Sequence, residues 1–150
     1  MRTVLLVSED EALNVRLRRA LPDCSVFPSP TEEEALHTLR LTEVDLVLKH
    51  VTQPVRDLDG FIAKARQLRP GVVIVCILPA EGLSPDDEAA AEGADFAVLH
   101  PFTTQQLRAV LHQADEKLSL LQEVTALRTV RRPVGPEPLL DEIRRRSVEP

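Results

Sequence analysis

Two hydrophobic periods alternate along this chain, and that alternation limits its folding choices more than any other feature. Short continuous apolar runs at residues 4–7, 44–48, 72–77 and 96–99 are separated by stretches in which apolar residues recur at helical spacing. A strand with no polar alternation has no face to offer water, so such runs belong in a parallel sheet covered on both sides by helices. Cys24 to Phe27 supplies a weaker strand in second position. Leu13, Leu17, Ala20 and Leu21 make one apolar helix face, and Phe61, Ile62, Ala65 and Leu68 make another. The expectation is an α/β fold, a doubly wound five-stranded parallel sheet with five helices. In such sheets ligands gather at the carboxyl ends of the strands.

Local signals punctuate this pattern. Ser29-Pro30-Thr31-Glu32 and Ser84-Pro85-Asp86-Asp87 each suggest a capping hydroxyl, a proline at the first helical position and a carboxylate in the first turn, and Gly93 stops the fourth helix. Thr103 with Gln106 forms a capping box and Phe102 with Leu107 a hydrophobic staple, so the fifth helix starts near Thr104. No Gly or Pro follows until Pro133, which lets that helix run to about residue 129, roughly 39 Å at ~1.5 Å per residue. Leu111, Ala114, Leu118 and Leu121 carry a heptad-like stripe along it, shifting later to Val124 and Leu127. The stripe serves either self-association or a helix end folded back on its own domain.

With 150 residues, 43% of them hydrophobic and 28% charged, the chain closes one core with an appendage. The organisation expected is a domain over 1–115, a helical extension over 116–131, and a linker with a short amphipathic helix over 132–150. The linker reading rests on Arg131-Arg132-Pro133-Val134-Gly135-Pro136-Glu137-Pro138, and the helix on Leu139, Leu140 and Ile143. The triplet Arg144-Arg145-Arg146 reads as a solvated basic helix end ahead of a phosphate contact. Net charge is -6 and the cations are mostly Arg, a poor surface for DNA or RNA, so a protein partner is favoured over nucleic acid. Cys24 and Cys76 lack metal-ligand spacing and read as reduced core residues. With no bilayer-length apolar run and no signal-peptide core, a cytoplasmic protein away from membranes is expected.

Several of these words, in order, resemble the bacterial response-regulator receiver domain: Val4-Leu5-Leu6-Val7 followed by acids, Asp45-Leu46-Val47-Leu48, Pro54, and Gly93-Ala94-Asp95 leading to Pro101-Phe102. The likeness spans residues 1 to about 115 and implies the flavodoxin-like strand order 2-1-3-4-5, with a cis peptide before Pro101. It also implies a phosphorylation site. In that family two acids after the first strand hold Mg²⁺ and an aspartate ending the third accepts a phosphoryl group. A Ser or Thr ending the fourth bonds the phosphate, and a lysine ending the fifth pairs with it.

Carried over position by position, the acids become Ser8 and Glu9, the acceptor His50, the hydroxyl Leu78, the lysine His100, and the aromatic switch residue Ala97. Imidazole cannot form an acyl phosphate and Leu offers no hydrogen bond. Asp45 lies at the wrong end of its strand, and Asp57 and Asp59 lie in a loop beyond Pro54. The resemblance therefore implies a degenerate receiver, or pseudo-receiver: no enzyme, no cofactor, phosphorylation-independent, binding a signalling protein and pairing with itself as a homodimer. Two other readings stay open. One is an atypical receiver in which Glu9, His50 and His100 form a metal- or pH-responsive site, set behind histidines simply satisfied by hydrogen bonds or water. The other is an N-terminal regulatory fragment of a longer transcription activator, since the residues after Pro133 faintly resemble the entry to the ATPase domain of enhancer-binding activators. His37 and His112 read as ordinary helix-surface residues. An independent enzyme is not expected, for want of a Gly-rich phosphate loop or a nucleophile elbow.

Overall fold

A computed structural model describes residues 2–52 and 57–131, with side chains through residue 124. Pro54, the linker and the residues of the second amphipathic helix, including Leu139, Leu140, Ile143 and the arginine triplet, lie outside the described residues.

Among the described residues the chain alternates strand and helix throughout: β1 (Arg2–Val7), α1 (Glu11–Arg19), β2 (Cys24–Ser29), α2 (Glu32–Leu41), β3 (Leu46–His50), α3 (Leu58–Leu68), β4 (Val73–Pro79), α4 (Pro85–Ala91), β5 (Phe96–His100) and α5 (Thr104–Arg131). All strand pairs are parallel, in the order β2-β1-β3-β4-β5. The expected doubly wound topology is therefore present. The chain winds outward from β1 to β2, then crosses back to β3, so winding reverses at the β1/β3 pair and leaves a crevice beyond their carboxyl ends.

Strand alternation divides the core. Leu5, Val7, Val47, Ile74, Cys76 and Leu78 face α2, α3 and α4, meeting Ala35, Leu39, Phe61, Ile62 and Ala65. Val4, Leu6, Leu48, Val75, Ile77 and Val98 face α1 and α5, meeting Leu13, Leu17, Leu107 and Leu111. Each fully buried Leu or Val contributes about 1.5–3 kcal/mol relative to an exposed one. Burial on both faces holds for β1, β3 and β4. It fails for β5, where Ala97 and Leu99 are exposed, because an edge strand has one sheet neighbour and here only one covered face. Cys24, expected in the core, is half-buried at the start of edge strand β2, whereas Cys76 is fully buried in β4; both thiols are free.

The helix starts follow the capping chemistry with one correction. Ser84 accepts from the Asp87 N–H with Pro85 at the first position, and Thr103 and Gln106 bond reciprocally at 2.9 and 3.0 Å. At α2 the cap is Thr31, whose Oγ1 accepts from the Glu34 N–H, while Ser29 is the buried last residue of β2. Pro30 thus precedes the cap. Asp57 caps α3 from a left-handed conformation (φ 45°), and Asp59 sits in the first turn of that helix rather than in a loop. The peptide before Pro101 is cis.

The stripe on α5 is largely used inside the protomer. Leu111, Ala114 and Leu118 are buried in the core against the sheet, so these three are committed to the helix's own domain, as the fold-back reading has it. That compact unit ends at Leu118, and a second begins at Ser119. In the second unit Leu120, Leu121 and Val124 are exposed.

Candidate functional site

The positions singled out in the sequence fall at the carboxyl edge of the sheet. His50 ends β3, in register with Ile77, and His100 ends β5, in register with Pro79, so the two flank the end of β4. Their rings lie 5.9 Å apart, centroid to centroid, tilted by 51°. Phe102 meets His100 edge-on at 5.5 Å. The Arg16 guanidinium lies 4.4 Å from the centre of the Phe102 ring and donates to the Phe102 carbonyl at 2.8 Å. Nothing local signals the Arg16 contact, since 86 residues separate the partners.

Ser8 is buried, and its polar groups are engaged in shaping the turn into α1. Its N–H donates to the Ser29 carbonyl and its Oγ accepts from the Asp10 N–H, each at 3.1 Å, and its carbonyl accepts from the Asn14 side chain. Asp10 is the N-cap of α1, its carboxylate accepting from the Leu13 N–H. Glu9 is exposed. Ser8 and Asp10 together shape the start of α1. Leu78 is buried among the apolar residues beneath α3 and α4, and Ala97 sits exposed on β5.

Lys49 lies beside His50 near the end of β3. It pairs with Glu32 at 3.1 Å and donates to the His50 carbonyl at 3.3 Å. A lysine inside an otherwise apolar strand is a signal that could have drawn notice in the sequence. Burial, the neighbouring His100 and Lys49 push the His50 imidazole below its ordinary value, and Asp10 pulls it partly back. His50 is thus held toward its neutral form. Among the described residues no three His, Cys, Asp or Glu side chains converge to hold a metal ion, so Glu9 is not assembled with the two histidines as a ligand triad. His37 and His112 are exposed on α2 and α5, with His112 3.4 Å from Glu116.

At the opposite edge of the sheet sits a residue whose role sequence reasoning missed. Asp95, just ahead of β5, accepts from the Ile74 N–H at 2.8 Å, from Arg66 at 3.2 Å and from Lys117. Burial raises its carboxyl pKa, but the Lys117 hydrogen bond, the Ile74 N–H and Arg66 outweigh burial and hold it below the usual carboxylate range. Asp45, just ahead of β3, does a similar task between β3 and β1, accepting from the Thr3 N–H at 2.8 Å.

No protein-family model and no curated protein matches the chain, whereas solved structures match it in number. A CheY-like response regulator receiver domain protein from Methanospirillum hungatei JF-1 is 22% identical with a TM-score of 0.68, over 82% of this chain and 98% of that one. The signal receiver domain of an HD domain-containing protein from Pseudomonas fluorescens Pf-5 is 25% identical, TM-score 0.71, over 81% and 92%. A protein from Rhodopirellula baltica described as adenylate cyclase is 21% identical, TM-score 0.73, over 85% and 97%. Among the described residues no helix is long and apolar enough to cross a membrane. Strand order, helix count and these likenesses agree: the chain has the fold of a response-regulator receiver domain.

Proposed function

We propose that this chain is a pseudo-receiver, a noncatalytic protein-interaction module of bacterial signal transduction or transcription control that works without phosphorylation. The observation that carries the reading is the content of the carboxyl edge. An imidazole stands at the end of β3, a second at the end of β5, and a buried leucine at the end of β4 between them. An aspartyl-phosphate site of the receiver kind needs a carboxylate nucleophile, a hydroxyl and a cation gathered around Mg²⁺, and Ser8 and Asp10 are engaged in the start of α1.

The surface for a partner is the face of α4, β5 and α5, which the resemblance assigns to output. There β5 leaves Ala97 and Leu99 exposed, and an exposed apolar residue on an edge strand invites a protein partner. Self-pairing falls to the residues after Leu118, where Leu120 and Val124 are exposed.

The test is incubation with radiolabelled acetyl phosphate and Mg²⁺. No label is incorporated by the native chain, nor by His50→Asp, because one restored carboxylate still lacks the hydroxyl, the cation and the second acid. Stoichiometric label on the native chain, or a Mg²⁺-dependent shift with beryllofluoride, overturns the reading. Sedimentation at micromolar concentration tests the pairing: Leu120→Glu with Val124→Glu yields monomer if these residues pair, and an unchanged mass removes them from any interface.

A further inference from the structure

We propose that His50 and His100 together bind one divalent transition-metal ion, of the kind imidazole favours such as Zn²⁺ or Cu²⁺, at the carboxyl edge of the sheet. The inference goes beyond the pseudo-receiver reading and stands without it, since it depends only on the imidazole pair.

The geometry comes first. Imidazole nitrogens bind Zn²⁺ at about 2.0–2.1 Å, so two rings sharing one ion at tetrahedral or wider angles place their centroids about 5–6 Å apart. The observed separation is 5.9 Å. The pair is also held from both sides. Strand register fixes each backbone: the Val51 N–H donates to the Ile77 carbonyl at 2.8 Å just after His50, and the Ala80 N–H to the His100 carbonyl at 3.1 Å. The edge-on contact with Phe102 limits the His100 ring, and Arg16 in turn holds Phe102. Two ligands on strands that flank β4, each fixed in register with it, lose little freedom on binding, which is the requirement for a preorganised site.

The protonation state suits a ligand. Metal competes with protons for the same lone pairs, and His50 is held toward its neutral form by burial, His100 and Lys49, with Asp10 opposing. Both rings are half-buried, so solvent reaches them and water completes the coordination sphere. Two protein nitrogens and water make a weak site rather than a structural one, consistent with the absence of a third converging ligand among the described residues. Hard ions such as Mg²⁺ prefer oxygen donors and are expected to be excluded.

Zn²⁺ alone, titrated into the full chain by calorimetry with a chromophoric chelator as competitor, tests the site. The expected result is one ion per chain with Kd in the range of about 1–50 µM, weakened about tenfold or more by His50→Gln and by His100→Gln separately. His112→Gln and Cys24→Ser leave it unchanged, which separates this pair from the His112–Glu116 pair on α5 and from the half-buried thiol. Circular dichroism confirms that each variant is folded. Should a variant fail to fold, Cu²⁺ electron paramagnetic resonance of the native chain decides, because two equivalent-class nitrogens leave a hyperfine pattern that carboxylates do not. No binding by the native chain at about 100 µM Zn²⁺, binding that survives the double His variant, or a copper spectrum without nitrogen coupling each overturns the proposal.

Discussion

At the amino edge of the sheet, two aspartates tie neighbouring strands together; at the carboxyl edge, Ser8 and Asp10 shape the start of α1 and two histidines stand 5.9 Å apart across the end of β4. Asp45 receives the Thr3 N–H and Asp95 the Ile74 N–H, and Asp95 is further clasped by Arg66 and Lys117. These two acids tie β3 to β1 and β5 to β4. The polar groups of the amino edge join strands to one another, whereas those of the carboxyl edge leave two imidazoles side by side.

Substitutions at the two edges separate what each contributes. The largest effect is expected at Leu78, the apolar stand-in at the carboxyl edge: Leu78→Ala opens a cavity beneath α3 and costs about 3 kcal/mol in denaturant unfolding. A cost near zero would mean that this edge is not packed as described. Next comes Asp95→Asn, which leaves Arg66 and Lys117 facing a neutral amide and is expected to lose about 2 kcal/mol. Because the Asp95 carboxyl is held below its ordinary value of 3.8, its contribution is present above that pH and fades as pH falls through the folded value. An acid-unfolding curve of Asp95→Asn should therefore converge with that of the native chain at low pH.

Asp45→Ala removes a single backbone partner and should cost about 1 kcal/mol. The smallest effect belongs to His50. Its value is depressed in the folded state, so the unfolded chain takes up the proton first and stability declines as pH drops below the ordinary histidine value of 6.5. His50→Gln flattens that slope; a slope that persists in the variant would assign it to another group.

The sheet was legible because its strands are continuous apolar runs, and the strand-end positions of His50 and His100 followed directly. What stayed hidden were contacts made by topology. Nothing local says that residues 50 apart in the chain face each other across the end of β4, or that Lys117 reaches Asp95 from α5. At α2 the signal was present but outweighed. Thr31 and Glu34 spell a capping pattern, yet the proline of Ser29-Pro30 drew the start two residues early. On α5 the stripe is apolar at heptad-like spacing, but periodicity alone cannot say whether such a face meets a second copy or its own sheet. Burial of Leu111, Ala114 and Leu118 answers that for three of the four residues.

The burial of Cys76 has a practical side. Its thiol lies sealed in the central strand β4, with desolvation pushing it up to about 12 despite Lys49 and Arg66, so almost none of it exists as the nucleophilic thiolate at neutral pH. Cys24 sits half-buried on an edge strand, where desolvation and nearby Asp115 and Asp23 raise its pKa against the opposing amino terminus and Arg2. A thiol reagent therefore reads two clocks in one molecule: fraying of the sheet's margin at Cys24, and opening of its centre at Cys76.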